Sequence, residues 1–203
     1  GTRVILEQAR RDIGRQFGFY PKDKIAVVLY TRVQYNRALS APNWSGALFD
    51  GKIRLPTKGL GSNALPLKNT IYHEYVHAVI VRMGGERVPS WLHEGLAQYF
   101  EPDERSYRFS DFDIGRQGAL AMGNLEGGFS GLPDEYVGIA YAQSQSFVGF
   151  LIQENGGMFR IKRLLNEFNQ GKDTHAALQA VYGMDRSTLE ERWRRSLERK
   201  MQR

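Results

Sequence analysis

The chain has 203 residues, 41% of them hydrophobic and 25% charged, and a formal net charge of +6. This length can bury one sizeable core, and the composition is ordinary for a globular protein. No apolar run approaches the roughly 18 residues of a membrane span, so no transmembrane segment is expected in this chain. The sequence contains no cysteine, which excludes disulfides and thiolate metal ligands.

The positive charge is concentrated in residues 3–15 and 192–203. Such runs are typical of solvated helix faces. Nucleic acid or an anionic membrane would attract the same charge, but no recognition motif accompanies it, so no nucleic-acid partner is expected. The chain begins at Gly1 without methionine, which suggests a fragment of a longer protein. Export, or membrane attachment through a segment before Gly1, is then the hypothesis for its localisation.

Helical spacing of apolar residues predicts a first helix at residues 2–17, ended by residues 18–21. Residues 24–30 are rich in β-branched side chains and predict a strand, and residues 32–39 predict a short helix.

Residues 43–57 predict a β-hairpin. Asp50-Gly51 favours a two-residue type I′ turn between strands at residues 46–49 and 52–55. Ile53 and Leu55 alternate with polar residues, as in a strand with one buried face. The segment that follows, residues 59–66, predicts a loop.

The letters HEYVH at residues 73–77 form an H-E-x-x-H pattern. Residues four apart on a helix share one face, so His73 and His77 can bind the same metal ion. Glu74 lies about 100° around the helix from His73, where a carboxylate can act as general base beside an open coordination position. Asn69, one turn earlier, is expected to cap the helix, and a hydrogen bond to a metal ligand is the alternative.

A catalytic zinc ion takes three protein ligands and keeps one position open. Gly84-Gly85 should end the first motif helix, and a second helix should begin with Ser90 as its N-cap. Glu94 then lies about 6 Å into that helix and returns to the histidines if the two helices pack antiparallel. The alternative, histidines that merely pair with nearby carboxylates, leaves this second acidic segment unexplained. We therefore predict one Zn²⁺ ion bound by His73, His77 and Glu94, with Glu74 as the catalytic base.

The C-terminal half predicts mainly helices. Residues 101–113 predict an irregular segment, residues 114–122 a helix, and residues 127–133 a glycine-rich loop. Asp134 is expected to be the N-cap of a long helix. The further helices are expected at residues 134–154, 159–169, 173–182 and 186–201. The fold class is therefore α+β, with a small mixed sheet and edge hairpin before a mainly helical part.

HEYVH and the later WLHEGLAQYF resemble the motifs of gluzincin metallopeptidases, in particular peptidase MA-like domains related to aminopeptidase N and thermolysin. The resemblance implies a zincin-like fold with the active site between an α/β subdomain at residues 1–66 and a helical subdomain at 67–203, which together form one domain. It also implies that an edge strand pairs with the extended substrate, although an ordinary edge strand explains the hairpin equally well.

A looser match, YAQSQSFVGFLIQENGG, begins at Tyr141. In aminopeptidase-like gluzincins a tyrosine from a later helix stabilises the negative oxygen of the transition state. The resemblance implies this catalytic role for Tyr141, with Tyr136 in reserve and core packing as the alternative. His93 is expected to be a structural histidine, and a hydrogen bond to the substrate is the alternative.

The G-x-M-E-N segment that binds a free amine in such aminopeptidases is absent, and the strand region reads DGKIRLP. The predicted function is therefore a zinc metallopeptidase, an endopeptidase or a specific protein-processing enzyme, in which Glu74 assists the attack of zinc-bound water on a peptide or protein substrate. A catalytically latent zincin-like binding or scaffolding domain is the alternative.

Overall fold

A computed structural model of the chain describes residues 1–39, 47–56, 64–102, 114 and 118–202. The described residues are mostly helical and include a three-stranded sheet, which agrees with the predicted α+β class. None of the helices in these ranges combines the length and apolar character needed to span a bilayer.

Internal contacts divide the chain into two compact units. The first comprises Gly1–Val79 with Phe100–Asp103, and the second Ile80–Tyr99 with Glu104–Arg203. The single domain with subdomains that meet at residues 66 and 67 stays a prediction.

The first unit begins with helix α1, Thr2–Phe17, as the apolar spacing predicted. The helix ends where Gly18 adopts a left-handed conformation with φ of 62°, which glycine reaches without steric penalty. Strand β1 (Val27–Tyr30) and helix α2 (Arg32–Leu39) follow, both within the predicted segments.

Strands β2 (Leu48–Phe49) and β3 (Ile53–Pro56) complete a sheet of order β1-β3-β2. β3 lies in the centre, parallel to β1 and antiparallel to β2. Ile53 and Leu55 are buried, so the predicted alternation is confirmed. Of the hairpin strands only β2 lies at an edge, and substrate pairing along the hairpin stays a prediction.

The predicted two-residue turn is wrong. Phe49 pairs with Ile53, so Asp50, Gly51 and Lys52 form a three-residue loop. Gly51 has φ of 90°, a conformation that glycine adopts without steric penalty. Arg54 Nε donates to both carboxylate oxygens of Asp50 at 2.9 Å, which holds the longer loop closed. Gly46, the predicted start of the first strand, lies outside the described residues.

Helix α3, Ala64–Gly84, carries the H-E-x-x-H pattern. The end at Gly84 was predicted, but the start lies earlier than expected and takes in part of the segment predicted as a loop. Pro66 falls in the first turn, where proline is tolerated because its missing N–H has no helical partner. Asn69 is consequently buried inside the helix and is not its cap.

The second unit is built from helices α4 (Ser90–Tyr99), α5 (Asp134–Glu154), α6 (Gly157–Asn169), α7 (Thr174–Tyr182) and α8 (Arg186–Met201). Two short 3-10 helices, Met122–Leu125 and Phe129–Gly131, precede α5. The four predicted C-terminal helices are confirmed.

Two predicted N-caps are displaced by one residue. Ser90 and Asp134 are the first helical residues of α4 and α5, and a proline precedes each. A proline fits just before a helix because its fixed φ suits the chain entering the first turn. On α8 it is Asp185 that caps, with its side chain accepting from the Thr188 N–H at 2.8 Å.

The helix predicted at residues 114–122 is wrong in its described C-terminal part. Residues 118–121 are not helical, and residues 115–117 lie outside the described ranges. The Gln143 side chain accepts from the Leu120 N–H at 2.8 Å and donates to the Leu120 carbonyl at 2.7 Å. This buried amide takes both backbone groups of Leu120 and so replaces helical hydrogen bonds.

The core of the second unit is aromatic. The Trp91 ring packs edge-on against Phe147 at 5.2 Å between centroids, and Phe147 packs against Trp193 at 5.7 Å. On α8, Leu189, Trp193 and Leu197 are buried, whereas Met201 at the helix end is 40% exposed.

Candidate metal centre

His73 and His77 lie one turn apart on α3, and Glu94 lies on α4. The two imidazole rings stand edge to face, with centroids 4.8 Å apart and planes at 81°. Each of the three side chains offers a donor atom, and these atoms lie within 4.8 Å of one another. Ligands of a tetrahedral zinc ion with bonds of about 2.0–2.1 Å lie about 3.4 Å apart, so small side-chain movements would bring the three donors onto one ion. The structure therefore brings together the three residues predicted as metal ligands.

A fourth side chain, which the sequence did not single out, touches this group. Nδ1 of His73 lies 2.8 Å from Oε1 of Glu101, and the two side chains are only 17% and 11% exposed. The contact engages Nδ1 and leaves Nε2 as the metal-binding nitrogen of His73. One signal was available in the sequence, because Glu101 follows Glu94 by seven residues, close to two helical turns.

Glu74, the predicted base, is buried with 5% of its surface exposed. Its position next to His73 on α3 follows from the helix alone, since successive residues differ by about 100° around the axis. A buried carboxylate is costly unless its charge is compensated, and such groups are common at functional sites. Its role as the base stays a prediction.

Close packing positions the backbone of α4. A Cβ atom added to Gly95 would lie 2.4 Å from the Ser144 carbonyl oxygen and 2.6 Å from Cγ2 of Val148, both on α5. Only glycine permits this approach. At the start of α4, the Ser90 N–H donates to the Glu126 carbonyl at 3.0 Å. Glu94 is thus held on a helix fixed both at its N-terminus and beside its second turn.

The turn that contains Glu126 is in turn bonded to α8. The Glu126 carboxylate pairs with Arg186, and the Met122 N–H donates to Glu190 at 3.2 Å. Arg194 donates to the Ala119 carbonyl at 3.2 Å. The C-terminal helix therefore supports, through this turn, the helix that carries Glu94.

Tyr141, the predicted second catalytic residue, is half-buried on α5, and its ring packs edge-on against Phe129 at 5.1 Å. It lies three residues before Ser144, on the α5 face that meets Gly95. The reserve candidate, Tyr136, is 45% exposed. The catalytic role of Tyr141 stays a prediction.

His93 precedes Glu94 on α4. Burial lowers the pKa of His93, and the neighbouring Glu94 carboxylate opposes this with a smaller effect. The ring is therefore neutral at pH 7, which fits the structural role predicted for it.

The model of one protein family matches almost the whole chain. The family is described as the peptidase MA superfamily, and the match covers residues 7–199. No curated protein and no solved structure matches the chain. The matched residues include both motif helices and the donor group of His73, His77 and Glu94. The chain therefore belongs to the peptidase MA superfamily.

Proposed function

We propose that this chain is a zinc-dependent metallopeptidase of zincin-like architecture that hydrolyses internal bonds of peptide or protein substrates. The proposal rests on the donor atoms of His73, His77 and Glu94, which lie within 4.8 Å of one another. Glu74, which follows His73 in the chain, is buried. Membership of the peptidase MA superfamily supports the same reaction class.

The residues fit a zinc ion. Two imidazoles and one carboxylate form a common catalytic donor set, which leaves one coordination position open. The hydrogen bond that the Glu101 carboxylate accepts from Nδ1 of His73 is of the kind that orients metal-binding histidines. Bound there, zinc would lower the pKa of a coordinated water and polarise the carbonyl of the bond to be cleaved.

Side chains of the protein then transfer the protons and stabilise the negative charge. Glu74 takes a proton from the attacking water as the water oxygen bonds to the carbonyl carbon. The same carboxyl returns this proton to the amide nitrogen as the carbon–nitrogen bond breaks, so the products are a carboxylic acid and an amine. Tyr141 donates a hydrogen bond to the carbonyl oxygen while that oxygen carries negative charge.

Internal cleavage is favoured over removal of N-terminal residues. The segment around β3 reads DGKIRLP and lacks the glutamate with which aminopeptidase relatives bind a free amine. A substrate therefore needs no free amino terminus close to the cleaved bond.

Glu74→Gln tests the proposal. Metal content is measured by mass spectrometry of the purified chain, and cleavage is measured on a library of unstructured peptides. We expect the wild type to hold one zinc ion and cleave, and Glu74→Gln to hold zinc with activity reduced about 100-fold or more. His77→Ala should lose both the activity and the metal.

The exposed Glu86, changed to Gln, serves as the control and should behave as the wild type. Full activity in Glu74→Gln would refute the assigned base. A wild type that binds zinc and cleaves no peptide would instead favour a latent binding domain.

A further inference from the structure

We propose that Glu101 is a positioning residue that orients His73 for the metal, and that α1 holds this pair in place. The inference rests on the proposed metal centre and assigns a role to residues outside its ligands and base. Glu101 is not part of the group of donor atoms found among the described residues, which consists of His73, His77 and Glu94.

A histidine ring has two nitrogens and can rotate about its bond to the backbone. A carboxylate that accepts a hydrogen bond from Nδ1 fixes both the tautomer and the ring orientation, and so presents Nε2 to the metal. The 2.8 Å contact between His73 and Glu101 has this geometry. Because both side chains are largely shielded from water, solvent competes little for this hydrogen bond.

α1 contacts the chain neighbours of both partners. Tyr72, which precedes His73, donates its hydroxyl to Oδ2 of Asp12 at 2.6 Å. Phe100, which precedes Glu101, packs its ring against Phe17 at 5.4 Å between centroids.

Asp12 and Phe17 lie on the same helix, so the two contacts act through one rigid element. Phe17 and Tyr72 are almost fully buried, at 1% and 4% exposed. Glu101 follows the end of α4 and has no helix of its own to fix it. The contact of Phe100 with α1 therefore restrains the backbone next to Glu101.

The first test compares zinc dissociation constants, measured by competition with a chromophoric chelator. We expect Glu101→Ala to weaken zinc binding by about 10- to 100-fold. Glu101→Gln should weaken it less, because the amide oxygen still accepts from Nδ1–H. Glu167→Gln is the matched control, since Glu167 is similarly shielded at 13% exposed and pairs with Lys172. It should leave zinc affinity unchanged.

The free energy of unfolding of each metal-free chain is measured in urea, so that affinity is compared among folded proteins. If Glu101→Ala lowers stability but binds zinc as tightly as the wild type, the pair is merely structural and the inference is overturned. A wild type that binds no zinc would overturn the metal centre itself, a separate result.

The second test concerns α1. Phe17→Leu should weaken zinc binding a few-fold in the wild-type background and have no further effect in Glu101→Ala, because it acts through Glu101. Phe168→Leu, at an equally buried position of the second unit, is the control and should not change zinc affinity. Equal effects of Phe17→Leu in both backgrounds would refute the role of α1.

Discussion

The helix with the paired histidines and the helix with Glu94 show different kinds of contact with the rest of the fold. α3 buries apolar side chains such as Val76 and Val79, and it also makes directional polar contacts, Tyr72 with Asp12 at 2.6 Å and His73 with Glu101 at 2.8 Å. Around α4, close packing dominates, with Gly95 against the backbone of α5 and Trp91 against Phe147.

The difference shows that backbone position and side-chain orientation are separate problems. Packing is short-ranged and nearly isotropic, so it fixes where a helix lies. Hydrogen bonds depend on angle as well as distance, so they fix where a ring points. We therefore expect substitutions around α4 to act mainly on the fold, and substitutions at the polar contacts of α3 to act mainly on the chemistry of the site.

Trp193→Ala should have the largest effect on the fold. Trp193 is fully buried, packs on Phe147 and donates from Nε1 to Ser146 at 3.0 Å. The loss of a buried tryptophan lowers the free energy of unfolding by about 3–5 kcal/mol. Urea denaturation followed by circular dichroism measures it. Phe159→Ala, at a position 66% exposed, is the control and should change stability by less than about 0.5 kcal/mol.

Gly95→Ala should come next. The added methyl group meets a carbonyl oxygen at 2.4 Å, so α4 and α5 must separate. Such overpacking lowers the free energy of unfolding by about 1–3 kcal/mol. At Gly149, on α5, an added Cβ lies 3.7 Å from the Tyr99 ring, an ordinary contact. Gly149→Ala should therefore be tolerated, and equal behaviour of the two variants in urea would break the comparison.

Tyr72→Phe tests the polar side. The change removes the hydroxyl that donates to Asp12 and keeps the buried ring. Because the half-buried Asp12 carboxylate can regain water, we expect a loss of only about 1 kcal/mol in the free energy of unfolding. The contrast with the packed side is sharpened if the same variant weakens zinc affinity while Gly149→Ala does not. A loss of unfolding free energy in Tyr72→Phe as large as that in Trp193→Ala would contradict the contrast between the two helices.

Asp185→Asn should have the smallest effect, and one that depends on pH. The N–H and side chain of Thr188, followed by Ser187, lower the pKa of Asp185 to about 2. The folded pKa lies below the ordinary 3.8, so the ionised cap stabilises the fold above about pH 3.8. This stabilisation is lost as the pH falls through about 2.

Asparagine keeps the capping oxygen without the charge. The stability difference between the wild type and Asp185→Asn, measured in urea from pH 6 down to pH 2, should therefore shrink as the pH falls. A difference that does not change with pH would show that the charge of the cap contributes nothing.

Helix ends near proline and the start of α3 were the weak points of prediction. Pro66 reads as a helix breaker, yet it lies in the first turn of α3, where proline is harmless. Ser90 and Asp134 have good capping side chains, but each lies one residue inside its helix. Local preference allows either position, and contacts with the rest of the fold decide between them.

The sequence alone determined the elements whose hydrogen bonds close within a few residues. Helices α2, α5 and α8 have the predicted bounds, and the spacing within HEYVH set two histidines on one face of α3. Helical periodicity and capping are local, so they can be read without a structure.

Only the tertiary structure decided the contacts between distant parts of the chain. Glu101 reaches His73 across 28 residues, Gln143 binds the backbone of Leu120 across 23, and Gly95 meets α5. No local preference encodes such partners, because each contact depends on how the whole chain packs. The residues that can bind a metal were visible in the sequence, and the contact of the Glu101 carboxylate with one of them was established only by the fold.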